Sequence, residues 1–270
     1  MIQASQYNSS ITATYKIPGN HPASQENLFG VAFGHIEQDT GTSDVQKVSY
    51  SYVTKKRQWH RIISLSALDE DYNITDIPKT DARMIFPSIN WSRRKANSTL
   101  NPSNGLSTTI NLNGTPYFLS SKDTGFSQIR IDTNFLKSFK ENSFRILIRN
   151  SIGRTEIEDL SELPLSLQLF AGGSRSIRGY GYNSIGPGDN LVTGTFEVQR
   201  ALPRSTSWYF TSFIDAGNVT DNDIRDDMKS STGFGLAWLS PLGMMELDLA
   251  FPIPKEDQGV HVSFSMGPTL

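Results

Sequence analysis

Cysteine is absent from all 270 residues. That removes a disulfide framework, thiolate metal sites and a cysteine nucleophile together. Charge of one sign is not in excess either: 25 basic and 27 acidic residues give a formal net charge of -2. No global basic field exists to attract nucleic acid. Long apolar runs are also missing, and mean hydropathy is negative. Nothing approaches the roughly 18 consecutive apolar residues of a membrane helix. The opening Met1-Ile2-Gln3-Ala4-Ser5-Gln6 has neither the basic start nor the apolar core of a secretory signal. Helical periodicity is lacking over any useful length.

Alternation is what the chain has instead. In Ile11-Thr12-Ala13-Thr14-Tyr15-Lys16-Ile17 the apolar residues take every second position, as they do in Phe144-Arg145-Ile146-Leu147-Ile148-Arg149. Ile129-Arg130-Ile131-Asp132, Glu246-Leu247-Asp248-Leu249-Ala250-Phe251 and Val260-His261-Val262-Ser263-Phe264-Ser265-Met266 repeat the pattern. Period two gives each strand one apolar and one polar face. About thirteen such segments occur, most of roughly 9–12 residues, the length that crosses a bilayer at a tilt. They cover 9–17, 27–38, 42–55, 58–69, 83–94, 104–114, 124–137, 143–154, 190–201, 206–216, 231–240, 243–252 and 259–267.

Connection lengths are segregated. Lys55-Lys56-Arg57, Ser138 to Asn142, Pro203-Arg204-Ser205 and Ser240-Pro241-Leu242-Gly243 are tight, whereas 70–82, 155–189 and 217–230 are long and polar. Short turns at one end and long loops at the other favour an all-β, antiparallel transmembrane barrel over a soluble sandwich. Tyr50 with Tyr52, and Trp208 with Phe210 and Ile214, share faces and suit either an interfacial girdle or core packing.

The longest irregular stretch, 155–190, centres on Phe170-Ala171-Gly172-Gly173-Ser174-Arg175-Ser176-Ile177-Arg178-Gly179-Tyr180. A glycine-rich loop of this length is usually functional or disordered. Its glycines let the chain fold back on itself. Alternation adds an independent point. If Phe196, Val198 and Ile214 face lipid, Glu197 and Asp215 point into the lumen. Two such carboxylates suit an arginine's planar fork; were the tip of this loop carried into the lumen, Arg178 would bridge Glu197 and Asp215.

The Arg178-Gly179-Tyr180 tip resembles the signature of the bacterial surface-antigen superfamily of outer-membrane assembly factors. That superfamily includes BamA, TamA and the two-partner secretion pores. Ser184-Ile185-Gly186-Pro187, Gly194-Thr195-Phe196-Glu197-Val198-Gln199, Phe213-Ile214-Asp215-Ala216-Gly217, Gly233-Phe234-Gly235 and the final Gly267-Pro268-Thr269-Leu270 match it in order over about the last 110 residues. The match looks closest to the TamA branch, and the first 150 residues resemble it only generally. The resemblance implies a bacterial outer-membrane barrel of sixteen strands with a lumen-inserted loop at 155–190. On that reading residues 1–270 are a barrel fragment, lacking the first strands, the periplasmic domains and the signal, with an exposed edge near 9–17. It also implies insertion or secretion of autotransporter-type client proteins, contact with outer-membrane lipid, and a TamB-like periplasm-spanning partner. Neither a cofactor nor an enzymatic reaction is expected. A two-partner secretion pore or a BamA-like insertase is the alternative. A passive diffusion channel fits the loop tip less well, and a barrel lipase lacks a matching Ser/His pair.

Other motifs carry less. His21, His35, His60 and His261 show no paired ligand spacing, and His261 is expected to line the lumen. Gly179-Tyr180-Gly181-Tyr182 does not sit between a strand and a helix, which a dinucleotide motif requires. Asp221, Asp223, Asp226 and Asp227 lack calcium-loop spacing and read as a solvated acidic face. Lys55-Lys56-Arg57 reads as a solvated turn, with anionic headgroups as a second reading.

Overall fold

The computed structural model describes every residue except 1, 5–7, 39, 75–79, 100, 141, 142, 206, 242, 254–258, 268 and 269. The alternating segments are all strands. They are β2 (Asn8–Pro18), β3 (Gln25–Gln38), β4 (Gly41–Lys56), β5 (Trp59–Ile74), β6 (Thr80–Ala96), β7 (Asn104–Thr115), β8 (Phe126–Phe139) and β9 (Phe144–Ile157). After the long loop come β12 (Asn190–Ala201), β13 (Trp208–Thr220), β14 (Lys229–Ser240), β15 (Gly243–Ile253) and β16 (His261–Gly267). A short β1 (Ile2–Ala4) pairs with β2, and two short strands inside the long loop, β10 (Leu169–Ala171) and β11 (Ile185–Gly188), form a separate hairpin. Helical structure among the described residues is limited to three single 3₁₀ turns.

The main sheet has 14 strands in chain order, each antiparallel to the next, with β9 meeting β12 across the long loop. Unbroken ladders follow from unbroken alternation, because a one-residue slip would turn every side chain to the wrong face. The outward face is apolar: Phe33, Val48, Leu65, Phe196, Ile214 and Leu247 are each about half exposed (48–59%). Water would make such a face costly, whereas lipid solvates it. Aromatics on that face stack between strands, Trp208 on Trp238 and Phe210 on Phe234. Trp208 and Phe210 therefore belong to the outward face and not to a packed core.

Strands run further than periodicity suggested. β5 and β6 take in most of the predicted 70–82 connection, of which 75–79 lie outside the described residues. Likewise β13 and β14 shorten 217–230 to residues 221–228, and β9 extends into the long loop as far as Ile157. Cross-strand pairing carried these polar segments into the sheet, since a lumen-facing or extramembrane strand has no need of apolar alternation. Tight turns at the opposite end place Arg57, Lys140 and Arg204 in left-handed conformations. Parts of two predicted turns (141, 142 and 242), of the N-terminal segment (1, 5 and 6), and Pro268 and Thr269 of the last motif lie outside the described residues. One turn departs from the length rule: β3 and β4 join through residues 39 and 40 at the long-loop end.

At the predicted edge, β1 pairs with Ser9, Ser10 and Ile11, and that ladder stops there. Among the described residues no ladder joins β1 or β2 to β16. The lumen side is filled by the 158–189 segment. One buried cluster joins Leu169, Ala171, Ile177, Tyr180 and Ile185 of the loop to Leu191 and Val219 of the wall. Others seat Leu163 on Leu68, Met84, Phe86 and Phe126, and Leu165 on Tyr72, Ile74 and Ala82.

Candidate functional site

The loop tip closes on itself before it meets the wall. Gly173 N donates to Tyr180 O (3.1 Å) and Ser176 N to Gly173 O (3.1 Å). Gly172 holds φ +103°, and a Cβ there would lie 2.3 Å from Gly181 O, so this crossing requires glycine. The closed turn delivers Ile177, Arg178 and Gly179 to the inner face of β12 to β15. Gly179, at φ +93°, rests on Ala250 and Pro252 of β15.

Arg178 is 1% exposed and spends all its donor groups on the wall. Its backbone N donates to Asp215 Oδ2 (3.0 Å), Nε to the same oxygen (2.8 Å) and Nη2 to Asp215 Oδ1 (3.0 Å). Nη1 donates to Glu197 Oε2 (2.7 Å) and to Asp248 Oδ2 (3.2 Å). The two-toothed grip on Asp215 is the strong, directional form of the arginine–carboxylate pair. Burial desolvates all four groups, and an ion pair under those conditions holds only where the hydrogen bonds are complete. The acids are tied in turn: Gln199 Nε2 donates to Glu197 Oε1 (2.6 Å) and to Glu246 Oε1 (3.3 Å), and Thr211 Oγ1 to Asp248 Oδ1 (3.2 Å). Arg149 Nη2 reaches Glu197 Oε2 at 3.5 Å.

Thus the structure brings Arg178, Glu197 and Asp215 together, and adds Asp248, which sequence reasoning did not single out. Asp248 has the right alternation, but its approach depends on β14, which stands between it and Asp215. The inward residues of β14 at this level are glycines. A Cβ on Gly235 would lie 2.1 Å from Asp248 Oδ1, and one on Gly233 would lie 2.4 Å from the Phe213 ring. The Gly233-Phe234-Gly235 motif therefore clears the space through which a carboxylate and a ring reach the arginine. Tyr180, the last residue of the tip, donates through its hydroxyl to Ser230 O (3.3 Å) and packs in the loop cluster.

Further anchors hold the rest of the loop. Glu70 of β5, fully buried, accepts from Ser43 Oγ (2.7 Å), Ser166 N (3.0 Å) and Ser166 Oγ. Tyr72 Oη donates to Ser161 O (2.9 Å), and Asn183 Nδ2 to Gln38 Oε1 (2.8 Å). Arg175 Nη2 donates to Met266 O of β16 (3.0 Å). These partners lie up to 145 residues away in the chain, so local pattern gave no signal for them.

The secondary candidates sit apart from this site. His261 shares the half-buried face of β16 with Ser265, which bonds Glu246. His35 pairs with Asp44 on the outside. Asp221, Asp223 and Asp227 bond Asp189 N, Arg225 N and Lys229 Nζ respectively. Lys55 is drawn to Glu26 (3.1 Å).

The Omp85 superfamily domain matches residues 3–270. This chain belongs to the Omp85 superfamily. It is 25% identical over 235 residues to the outer membrane protein assembly factor BamA of Neisseria meningitidis serogroup B, a match covering 68% of this chain and 28% of the relative. It is 26% identical over 176 residues to BamA of Nitratidesulfovibrio vulgaris, covering 56% and 22%. The chain thus matches about a quarter of the length of these curated relatives. In fold it is similar to BamA from Haemophilus ducreyi lacking POTRA domains 1-3 (TM-score 0.77, 15% identity, 96% of this chain and 61% of that one). It is also similar to CdiB from Acinetobacter baumannii (TM-score 0.63, 13% identity, 95% and 49%). As an Omp85 barrel, it is a protein of the bacterial outer membrane.

Proposed function

We propose that this Omp85 barrel assists the insertion or secretion of autotransporter-type client proteins in the outer membrane. In this reading it is TamA-like, works with a TamB-like periplasm-spanning partner, and catalyses no covalent reaction. The observation that carries the reading is the Arg178 lock. A loop bonded to Glu197, Asp215 and Asp248 fills the lumen and leaves the barrel unsuited to passive diffusion. Its tip also carries the Arg178-Gly179-Tyr180 sequence on which the TamA resemblance rests. The relatives named as assembly factors support the broader part of the assignment.

A two-partner secretion pore is the second reading. It is favoured by a lumenal cavity of about 260 Å³ beside the loop, lined by Arg130, Arg149 and Arg175 together with Asp132, Glu246 and Met244. In that case the loop must leave the lumen during transport.

One experiment separates the two. The chain has no cysteine, so Ser43→Cys with Ser166→Cys, at positions that both bond Glu70, gives two thiols that a short bis-methanethiosulfonate reagent joins into a single reducible tether between loop and wall. The assay is surface display of an autotransporter client in cells, with and without reductant. An assembly factor that works at its wall keeps its activity with the loop tethered. Activity that returns only on reduction supports the pore. Display that never depends on this protein sinks both.

A further inference from the structure

The formal net charge of -2 hides a polarity along the barrel axis. At the long-loop end the outward face carries Glu37, Asp44, Asp69, Asp71, Asp81 and Glu156, against Arg83 and Arg154. The short-turn end, which in outer-membrane barrels faces the periplasm, is the reverse. Its outward charges are Lys56, Arg61, Arg93, Lys95, Lys137 and Arg200, and among the described residues no acid joins them on that face. Glu26 lies at the same level on the inner face, where Lys16 (2.9 Å) and Lys55 (3.1 Å) hold it. All 4 tryptophans of the chain stand outward at this basic end: Trp59, Trp91, and the stacked Trp208 and Trp238.

Cross-strand register gathers part of this belt into a compact cluster on β4, β5 and β6. In the outermost row Lys56 stands opposite Trp59, and Trp59 opposite Arg93. In the next outward row Thr54 stands opposite Arg61, and Arg61 opposite Trp91. The row after that is Tyr52, Ile63 and Ile89. Side chains directly opposite one another start about 4.5–5.5 Å apart, so the three cations surround two indole rings. The Arg93 guanidinium lies 5.5 Å from the centroid of the Trp59 ring, and its Nη2 donates to Gln58 Oε1 (3.3 Å). Arg61 Nε donates to Thr54 Oγ1 (3.3 Å). These partners are neutral, so they position the two guanidinium groups without discharging them.

We propose that this cluster binds an anionic phospholipid of the periplasmic leaflet. Lys56, Arg61 and Arg93 hold its phosphate, Trp59 and Trp91 flank its glycerol region, and its acyl chains run along Ile63 and Ile89. Charge complementarity names the occupant: cations without an acid, set on a lipid-facing wall, attract anionic headgroups by about fivefold for each cation. Tryptophan is favoured at headgroup level, and the rows pass from apolar to indole to cation in the order of depth in a leaflet. Of the Lys55-Lys56-Arg57 turn, Lys56 thus serves the headgroup, while Lys55 turns inward to Glu26.

The cluster contains its own reporter. With Trp208→Phe and Trp238→Phe as background, only Trp59 and Trp91 fluoresce as tryptophan. The chain in phosphatidylcholine bilayers is titrated with dibrominated phosphatidylglycerol or dibrominated phosphatidylcholine, and quenching compares the two lipids. Phosphatidylglycerol should quench at the lower mole fraction, and Arg93→Gln should reduce that preference about fivefold. Arg154→Gln, at the opposite end, should leave it unchanged. Equal quenching by the two lipids would mean annular contact only and would overturn the proposal. So would a preference that survives Arg93→Gln, or one that Arg154→Gln lowers as much, since net charge alone would then explain it. Should the background fold poorly, native mass spectrometry of lipid retained by the chain with all its tryptophans makes the same comparison, and Arg93 is exposed enough for its variant to fold.

Discussion

The guanidinium carbon of Arg178 lies 3.3 Å from the centroid of the Phe213 ring. Phe213 stands two residues before Asp215 on β13, so one strand presents both a π face and a bidentate acid to the same cation. The ring supports the flat guanidinium from one side while carboxylates fix its edges. Desolvated cation–π contacts are worth about 2 kcal/mol. The pairing also excludes lysine as a substitute, since an ammonium group is a point charge with no plane to lay on the ring.

Arg178→Ala is accordingly expected to leave three buried carboxylates without their cation. Removing one partner of a buried ion pair costs about 3–5 kcal/mol. Limited proteolysis should then cut within 160–190 in the variant and spare the unaltered chain. Arg178→Lys should be cut nearly as fast. Equal resistance in all three proteins would show that the loop does not depend on the lock.

Graded effects are expected among the acids. Asp215 takes three of the five bonds from Arg178, Glu197 one and Asp248 one. Loop release should therefore rank Asp215→Asn above Glu197→Gln and Asp248→Asn, at about 1.5–3 kcal/mol for each charged hydrogen bond lost. Protease cleavage rates at matched temperature give the order, and a largest effect from Asp248→Asn would contradict it.

Gly233→Ala should disturb the site without removing any of its groups. The added methyl meets Leu249 O at 2.2 Å and the Phe213 ring at 2.4 Å, and overpacking of this kind costs about 1–3 kcal/mol. Tm of the folded barrel should fall, and Gly233→Ala with Phe213→Leu should recover part of the loss. No recovery would mean that the clash is with the β15 backbone alone.

Ile214→Lys tests the outward face directly. Ile214 is 59% exposed next to inward Asp215. A lysine on the lipid face near the bilayer midplane costs about 2–4 kcal/mol. Refolding into lipid vesicles, followed by urea titration, should show that loss, whereas Ile214→Val should be close to neutral.

Much of this was legible in the chain itself. With Phe196, Val198 and Ile214 taken as lipid-facing, alternation turned Glu197 and Asp215 inward. The same rule applies to Asp248, but which inward acid meets which loop residue depends on cross-strand register, and register is set by pairing rather than by either strand alone. Phe213 was obscured because Trp208-Tyr209-Phe210 and Phe213-Ile214 are apolar on both faces, so period two cannot say which ring enters the lumen. Glu70 and Tyr72 gave no sign of gripping Ser166 and Ser161 because nothing local records contacts 89 and 96 residues apart.

The acids that hold Arg178 arrive on the chain in sequence, at 19, 37 and 70 residues beyond it. A chain that adds strands in order can seat the arginine on Glu197 early but cannot complete the grip until β15 has joined. Loop-closure entropy rises with each of those separations, so the last contact is the slowest to be won. Seating of the plug is thus complete only when β12, β13 and β15 are all in place, which couples the position of the loop to the assembly of the carboxyl-terminal wall.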